Sequence, residues 1–311
     1  MNTKYSFPLI LLLTILCGCS SSDDETLVNN GGRKLRQLTI TQVEDSDVTR
    51  SLSDLTRASI TENVAEKTLS ASWSVGDKLS LCNISDLYGD PYNCVGYLSA
   101  QSTAVKSTFT GEILCAKGDD IAVAYPNEKI SIKPTTKDVT FSLNLTGQDG
   151  TLESLAKYYH FICGLAKITT VTDNTASAAI QMKSLLTICK FSFVDENDKP
   201  ISVKDLYICY HDDYGKFEYP TSASITVTSM STFDNLNAEG VIDENNKILS
   251  IKNADGLNEV YVALVPKGQW KYKFVVINVD GTTYEGKATA TLKAGKFVFG
   301  NLKLTKQTNN Y

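Results

Sequence analysis

The chain has 311 residues and a net charge of −5, with 42% hydrophobic and 21% charged residues. This balance is that of a globular chain with enough apolar material for a core, and at about 150 residues per domain its length favours two domains. The acidic balance and the lack of a basic patch argue against nucleic acid as a partner.

Residues 1–18 are predicted to be a signal peptide. Lys4 supplies a positive charge, and Phe7–Leu16 is a nearly unbroken apolar run, roughly half the ~20 residues needed to cross a bilayer. The tetrad Leu16–Cys19 resembles the lipobox of bacterial lipoproteins, whose cysteine is acylated and becomes the new N-terminus. We therefore predict cleavage before Cys19, lipidation (palmitate) on Cys19 and anchoring in an outer membrane. An ordinary secretory signal with incidental cysteines is the alternative.

A polar, flexible leader is predicted at residues 19–58. It opens with Ser20–Glu25, three serines and three acids, which resembles the surface-export signal of Bacteroidetes-type lipoproteins but also fits a solvated tether. One short strand-like piece, Leu38–Thr41, lies inside the leader. Cleavage concentrates in such exposed polar segments, so Arg57 is the first candidate for a proteolytic processing site and Arg50 the second. Solvated linker charges are the alternative for both.

A first series of strands is predicted over residues 59–178. Apolar and polar residues alternate over Leu69–Val75, and Ile121–Tyr125 is an apolar run stopped by Pro126. Period-two alternation over such lengths is typical of half-buried strands. The segment Leu155–His160 is predicted to be a short helical or irregular link.

A second series of strands is predicted over residues 179–311. The clearest hairpin joins Trp270–Val279 to Tyr284–Leu292 across Asp280-Gly281, a dipeptide that favours the type I′ turn. Phe297–Leu304 is the last strand. Many short strands with frequent turn signals, and no long helical period, predict an all-β fold of two β-sandwiches with a boundary between residues 165 and 185.

Six cysteines remain beyond the signal region. Most are widely spaced, and several lie inside apolar strand patterns, where cysteine behaves as a small hydrophobic residue. We therefore predict mostly free, buried thiols, with a hairpin disulfide between Cys82 and Cys94 as the alternative for that pair. The six are Cys82, Cys94, Cys115, Cys163, Cys189 and Cys209.

The sequence contains no recognisable active-site pattern. His160 and His211 are the only histidines, which limits histidine-based acid–base chemistry and metal sites. The cluster His211–Asp213 fits a hairpin turn as well as a cation site. Since no nucleophile, zinc, phosphate-loop or calcium-loop motif is present, we predict no enzymatic activity, no cofactor and no metal.

Several short motifs occur in order along the β-rich region: Trp73–Leu81, Phe109–Gly111, Ala122–Pro126, Gln148–Gly150, Leu155–Tyr158, Val262–Pro266 and Leu292–Phe297. Together with the lipobox, they resemble the fimbrillin-like family of Bacteroidetes-type pilus lipoproteins. The resemblance covers nearly the whole chain beyond the signal region. It implies two tandem transthyretin-like β-sandwich domains, at 59–178 and 179–311, and a structural role.

The resemblance further implies a stalk, tip or accessory subunit of a cell-surface fimbria that supports adhesion. In the family, an arginine-specific protease removes the lipidated segment with the first strand, and a segment of another fimbrial subunit fills the groove by β-strand addition. The partners implied are therefore other fimbrial subunits and, through the lipid, the outer membrane.

Two features of this sequence keep the role open. Only Thr305–Tyr311 follows the last predicted strand, and this tail lacks the alternating apolar residues that a donor strand needs. Either the 297–304 strand is itself mobile, or the protein is a tip or accessory subunit. The alternative function is a surface glycan-binding lipoprotein, since the 15 tyrosines suit sugar-stacking surfaces.

Overall fold

The computed structural model describes residues 32–43, 59–87, 94–127, 129–133, 138–211, 217–228 and 230–307. Within these ranges the regular secondary structure is almost entirely β, as the sequence predicts. The helical parts are short: α1 (Leu152–Ser154), a π-helical turn at Leu155–Tyr159 and a 3-10 turn at Phe233–Asn235. None of the helices in these ranges is long and apolar enough to cross a membrane.

The described residues form 21 strands, numbered in chain order. The first eleven are β1 (Lys34–Gln42), β2 (Ser59–Asn63), β3 (Thr68–Ser72), β4 (Lys78–Asn83), β5 (Val95–Ala100), β6 (Thr108–Cys115), β7 (Asp120–Tyr125), β8 (Lys129–Lys133), β9 (Asp138–Asn144), β10 (Ile162–Val171) and β11 (Thr175–Ser184). The others are β12 (Thr187–Val194), β13 (Val203–Tyr210), β14 (Ser222–Val227), β15 (Glu239–Val241), β16 (Leu249–Leu257), β17 (Val260–Leu264), β18 (Gln269–Asn278), β19 (Thr283–Thr291), β20 (Phe297–Lys303) and β21 (Thr305–Lys306).

Seven strands form a sheet that closes on itself. Their order is β1-β11-β10-β7-β4-β5-β6, and β6 pairs back to β1. Alternation sends every second side chain inward, so the interior is filled by large apolar residues. Trp73 lies fully buried among these residues, edge-to-face with Phe109 and Tyr125 at ring-centroid distances of 4.9 and 5.3 Å.

The remaining strands form four further sheets. Their orders are β17-β12-β20, β16-β13-β18-β19-β21, β15-β14-β9-β8 and the hairpin β2-β3. A second apolar cluster includes residues from the second half of the chain, such as Phe191 and Phe274, together with Cys82 and Cys163 of the closed sheet. The rings of Phe191 and Phe274 pack edge-to-face with centroids 5.2 Å apart.

Several predicted elements are present. The hairpin of β18 and β19 pairs from Gln269↔Thr291 to Ile277↔Thr283, and Gly281 in its turn has φ 84°. All six cysteines are buried and none is in a disulfide. The sequence therefore predicts this hairpin and the burial of the cysteines correctly, but the turn is not type I′, because Asp280 does not have a positive φ.

Strand pairing differs from the predicted division of the chain. β11 runs across the 178/179 boundary and belongs to the closed sheet, whereas β9 pairs with β14 from the second half. The leader, predicted to be flexible over 19–58, contributes β1 to the closed sheet. Seven strands that include β1 form a closed sheet rather than an open sandwich layer, because β1 pairs on both sides and leaves no free edge there.

Candidate functional site

Strand β1 fills a slot between two other strands. It runs antiparallel to β6, from Lys34↔Cys115 to Thr41↔Thr108. It runs parallel to β11, from Gln37↔Thr175 to Gln42↔Ile180. Both of its hydrogen-bonding edges are therefore used, and without β1 the slot would present two unpaired strand edges.

One face of β1 inserts into the closed sheet. Leu38 and Ile40 are fully buried in the interior apolar cluster, whereas Leu35 at the start of the strand is exposed. Burying a side chain of this size stabilises a fold by about 1.5–3 kcal/mol. The slot is therefore lined with apolar pockets as well as with backbone hydrogen-bonding groups.

The residue just before β1 is held by a buried carboxylate. Arg33 Nε and Nη2 donate to the two oxygens of Asp119 at 2.8 and 2.7 Å, and Nη1 donates to Asp86 at 3.3 Å. Asp119 also accepts from Asn83 Nδ2 at 2.8 Å and from the Ala116 amide at 2.9 Å. Bidentate guanidinium–carboxylate pairs of this kind are the stronger type of hydrogen-bonded ion pair.

The environment of Asp119 favours its ionised form. Burial by itself raises the pKa of this carboxyl, but the hydrogen bonds from Arg33, Ala116 and Asn83 outweigh burial, so the pKa lies below its ordinary value. Asp119 is therefore charged at neutral pH and attracts Arg33.

Two further contacts fix β1 along its length. Arg36 is buried and donates through Nε to the Thr172 carbonyl at 2.7 Å and through Nη1 to the Cys115 carbonyl. Near the other end, Trp73 Nε1 donates to Gln42 Oε1 at 2.9 Å. Polar contacts near each end thus keep β1 in register.

The arginines of the chain are confined to one short segment. They are Arg33, Arg36, Arg50 and Arg57, and the 254 residues that follow Arg57 contain 24 lysines and no arginine. Arg33 and Arg36 are engaged in the contacts described above. Arg50 and Arg57, the predicted processing sites, lie outside the described residues, as do Cys19 and the predicted signal peptide 1–18.

A partly buried ionic cluster that sequence reasoning missed ties the β2–β3 hairpin to the second half of the chain. Lys190 on β12 contacts Glu62 on β2 and Glu259, each at 2.9 Å, and Tyr261 donates its hydroxyl to Glu62. Burial alone would lower the pKa of Lys190, but its hydrogen bonds to Glu62, Glu259 and Tyr261 outweigh burial and raise it. Strand alternation gives no sign of this cluster, because its members are far apart in sequence.

The final strands are integrated into the fold. All seven residues of β20 pair in parallel with β12, from Ile188↔Phe297 to Val194↔Lys303. Leu304 is buried, and β21 pairs with β19. The segment 297–304 is therefore a paired part of this chain's own sheets.

The described residues cover only part of the predicted alternatives. Asp212 and Asp213 of the polar cluster lie outside these residues, and the His211 ring stacks on Phe217 with centroids 5.6 Å apart. Within the described ranges, no group of three or more histidine, cysteine or acidic residues is arranged to hold a metal ion. Trp270, a partly exposed ring of the kind that stacks on sugars, has Lys267 Nζ over it at 4.1 Å.

Solved structures share this fold over most of the chain. A "putative cell adhesion protein" from Bacteroides ovatus matches with a TM-score of 0.50 and 14% identity, over 89% of this chain and 97% of that one. Another so described, from Bacteroides uniformis, matches with a TM-score of 0.52 and 11% identity, over 90% of this chain and 98% of that one. At these identities the likeness shows the fold alone, and it is consistent with the resemblance to the fimbrillin-like family.

The sequence itself gives no match. No protein-family model matches it, and the search of curated proteins found no similar sequence. The fold is therefore the property that this chain shares with the adhesion proteins above.

Proposed function

We propose that this protein is a subunit of a cell-surface fimbria and that the slot occupied by β1 is where a second subunit binds. The observation that carries the proposal is the position of β1: it precedes the arginines Arg50 and Arg57 and pairs with both β6 and β11. The fold shared with Bacteroides adhesion proteins is in keeping with a structural rather than an enzymatic role.

Cleavage after Arg50 or Arg57 separates β1 from the rest of the chain. β1 ends at Gln42, β2 begins at Ser59, and both arginines lie between them. The absence of arginine after Arg57 means that an arginine-specific protease has no further site in the sequence that forms β2 to β21. Such a protease would cut the covalent link between the lipidated N-terminus, with Cys19, and the rest of the chain, and spare the rest.

An emptied slot has a strong tendency to be refilled. Unpaired backbone groups of β6 and β11 form a template for an added strand. The pockets of Leu38 and Ile40 add apolar surface that favours a segment with the same alternation. A strand from another subunit would pair with these backbone groups and fill these pockets.

We further propose a tip or accessory position rather than a main-stalk position. Since β20 is paired along its whole length with β12 and Leu304 is buried, donating the 297–304 segment would break this chain's own sheet. In this proposal the protein accepts a strand without donating one.

The test replaces the two candidate arginines by lysine in the native host. Arg50→Lys with Arg57→Lys keeps both charges but removes the arginine-specific sites. We expect wild-type fimbriae to contain this chain with an N-terminus at residue 51 or 58, and the double variant to stay lipid-bound and monomeric. N-terminal sequencing of sheared fimbriae and of membranes provides the readout.

Two results would overturn the proposal. One is an N-terminus at Cys19 in the assembled fimbria. The other is wild-type assembly of the double variant. A control variant with Lys34→Arg keeps both candidate sites and should be processed as the wild type is.

A further inference from the structure

Two buried thiols lie in contact at one end of the β4–β5 hairpin. Cys82 on β4 and Cys94, which directly precedes β5, have their Sγ atoms 3.8 Å apart, and both side chains are fully buried. The backbone fixes this arrangement, because the Asn83 amide donates to the Cys94 carbonyl at 2.7 Å and Cys82 pairs with Val95.

We propose that Cys82 and Cys94 form an intrachain disulfide when the chain folds in an oxidising compartment. A disulfide needs its sulfur atoms about 2.05 Å apart, and two sulfurs already in contact across a hairpin reach that distance by small side-chain rotations. The cross-link joins β4 to the start of β5 and closes the loop between them. This inference is independent of the strand exchange proposed above and requires only export.

The chemistry is thiol–disulfide exchange with a protein disulfide oxidant. One cysteine loses a proton and attacks the oxidant's disulfide, giving a mixed disulfide and releasing one oxidant thiol. The second cysteine loses its proton, attacks the mixed disulfide and releases the other oxidant thiol. Two electrons and two protons thus leave the pair, and the oxidant becomes a dithiol.

The order of events follows from burial. The neighbouring Cys94 thiol and burial together raise the pKa of Cys82 above its ordinary value, so little reactive thiolate forms in the folded chain. The bond is therefore expected to form during folding, before the hairpin is covered. The other four cysteines lie on four separate strands, β6, β10, β12 and β13, and burial raises the pKa of Cys163 to about 12.

The experiment reads the state of one tryptic peptide. Leu79–Lys106 contains Cys82 and Cys94 and no other cysteine, and the other four of the six lie in four other tryptic peptides. The full chain is unfolded, reduced and refolded in a glutathione redox buffer, then alkylated in denaturant without reduction and digested with trypsin. A parallel sample is isolated from the surface of the native host.

We expect the Leu79–Lys106 peptide to carry no alkyl group and to be lighter than its reduced form by two hydrogens in both samples. The four other cysteine peptides should be alkylated. As controls, Cys209→Ser should leave the cross-link intact, and Cys82→Ser should leave one alkyl group on Cys94. Two alkyl groups on the wild-type peptide after oxidative refolding, or a bond from either cysteine to another one, would overturn the inference.

Discussion

Asp119 shows how much of the docking of β1 depends on single residues. Its carboxylate accepts hydrogen bonds from Arg33, Asn83 and the Ala116 amide, and it is almost fully buried. A buried charge is tolerated only when its hydrogen-bonding capacity is met, and removing one partner leaves the others without compensation. The residue therefore joins the start of β1 to the β6–β7 turn.

Asp119→Ala is expected to lower the free energy of unfolding by about 3–5 kcal/mol, because Arg33 and Asn83 lose their shared acceptor. Urea denaturation of the full chain gives the value. The control is Asp173→Ala, since Asp173 is highly exposed where it pairs with Lys34 at 3.4 Å. Its free energy of unfolding should stay within about 0.5 kcal/mol of the wild-type value. Similar values for the two variants would show that the Arg33–Asp119 pair does not hold β1.

The same residue predicts a pH dependence. Because the folded pKa of Asp119 lies below its ordinary value, its contribution is present above the unfolded pKa, near 3.9, and is lost as pH falls through the lower folded pKa. The stability difference between wild type and Asp119→Asn should therefore be constant above about pH 5 and shrink below about pH 4. Denaturation curves at several pH values test this, and a difference that grows on acidification would contradict it.

At the scale of elements, β1 and the β2–β3 hairpin are attached in different ways. β1 is bound by two pairing edges and an inserted apolar face. Among the described residues the hairpin pairs only with itself, and it is held by buried apolar residues such as Leu69 and by the Lys190 cluster. Cutting the 44–58 link would therefore leave two separate elements, each with its own means of staying in place.

Leu38→Ala is expected to cost about 2–5 kcal/mol of stability, because truncation leaves a cavity in a fully packed interior. Leu35→Ala is the matched control on the same strand, since Leu35 is 54% exposed, and its effect should stay within about 0.5 kcal/mol. Both are measured by denaturant unfolding of the full chain. A neutral Leu38→Ala variant would mean that β1 leaves its slot at little cost.

For the whole molecule, the confinement of arginine to residues 33–57 has a direct biochemical readout. Digestion of the native chain with an arginine-specific endopeptidase should give one large fragment that starts at residue 51 or 58. The fragment with β1 should co-elute with it in size-exclusion chromatography, because two pairing edges and two buried side chains hold it. Loss of β1 immediately on cleavage would contradict this. Digestion with a lysine-specific endopeptidase serves as the comparison for digestion with the arginine-specific one.

Alternation in the sequence predicts which segments are strands but not which strands pair. The short strand at Leu38–Thr41, the hairpin across Asp280-Gly281 and the buried cysteines follow from local patterns alone. The closing position of β1, the pairing of β9 with β14 and the parallel pairing of β20 with β12 do not. These contacts join residues far apart in sequence, and an apolar face does not say which edge will meet it.

The residues of the candidate site also fall into two groups: those that the sequence indicates and those that only folding brings together. Arg50 and Arg57 are predicted as processing sites because they lie in a polar segment. The sequence also shows that they, Arg33 and Arg36 are its only arginines. The acceptors of Arg33, at Asp86 and Asp119, are ordinary acids in the sequence and become functional candidates only when folding brings them beside β1.

The mixed pairing of β1 has a consequence for any polymer built through its slot. A strand that replaces β1 and keeps its direction would run parallel to β11 and antiparallel to β6. Every junction made this way would have the same orientation. Since the protein is proposed to accept a strand without donating one, it would lie at one end of the fibre, and the other subunits would extend from it in a single direction.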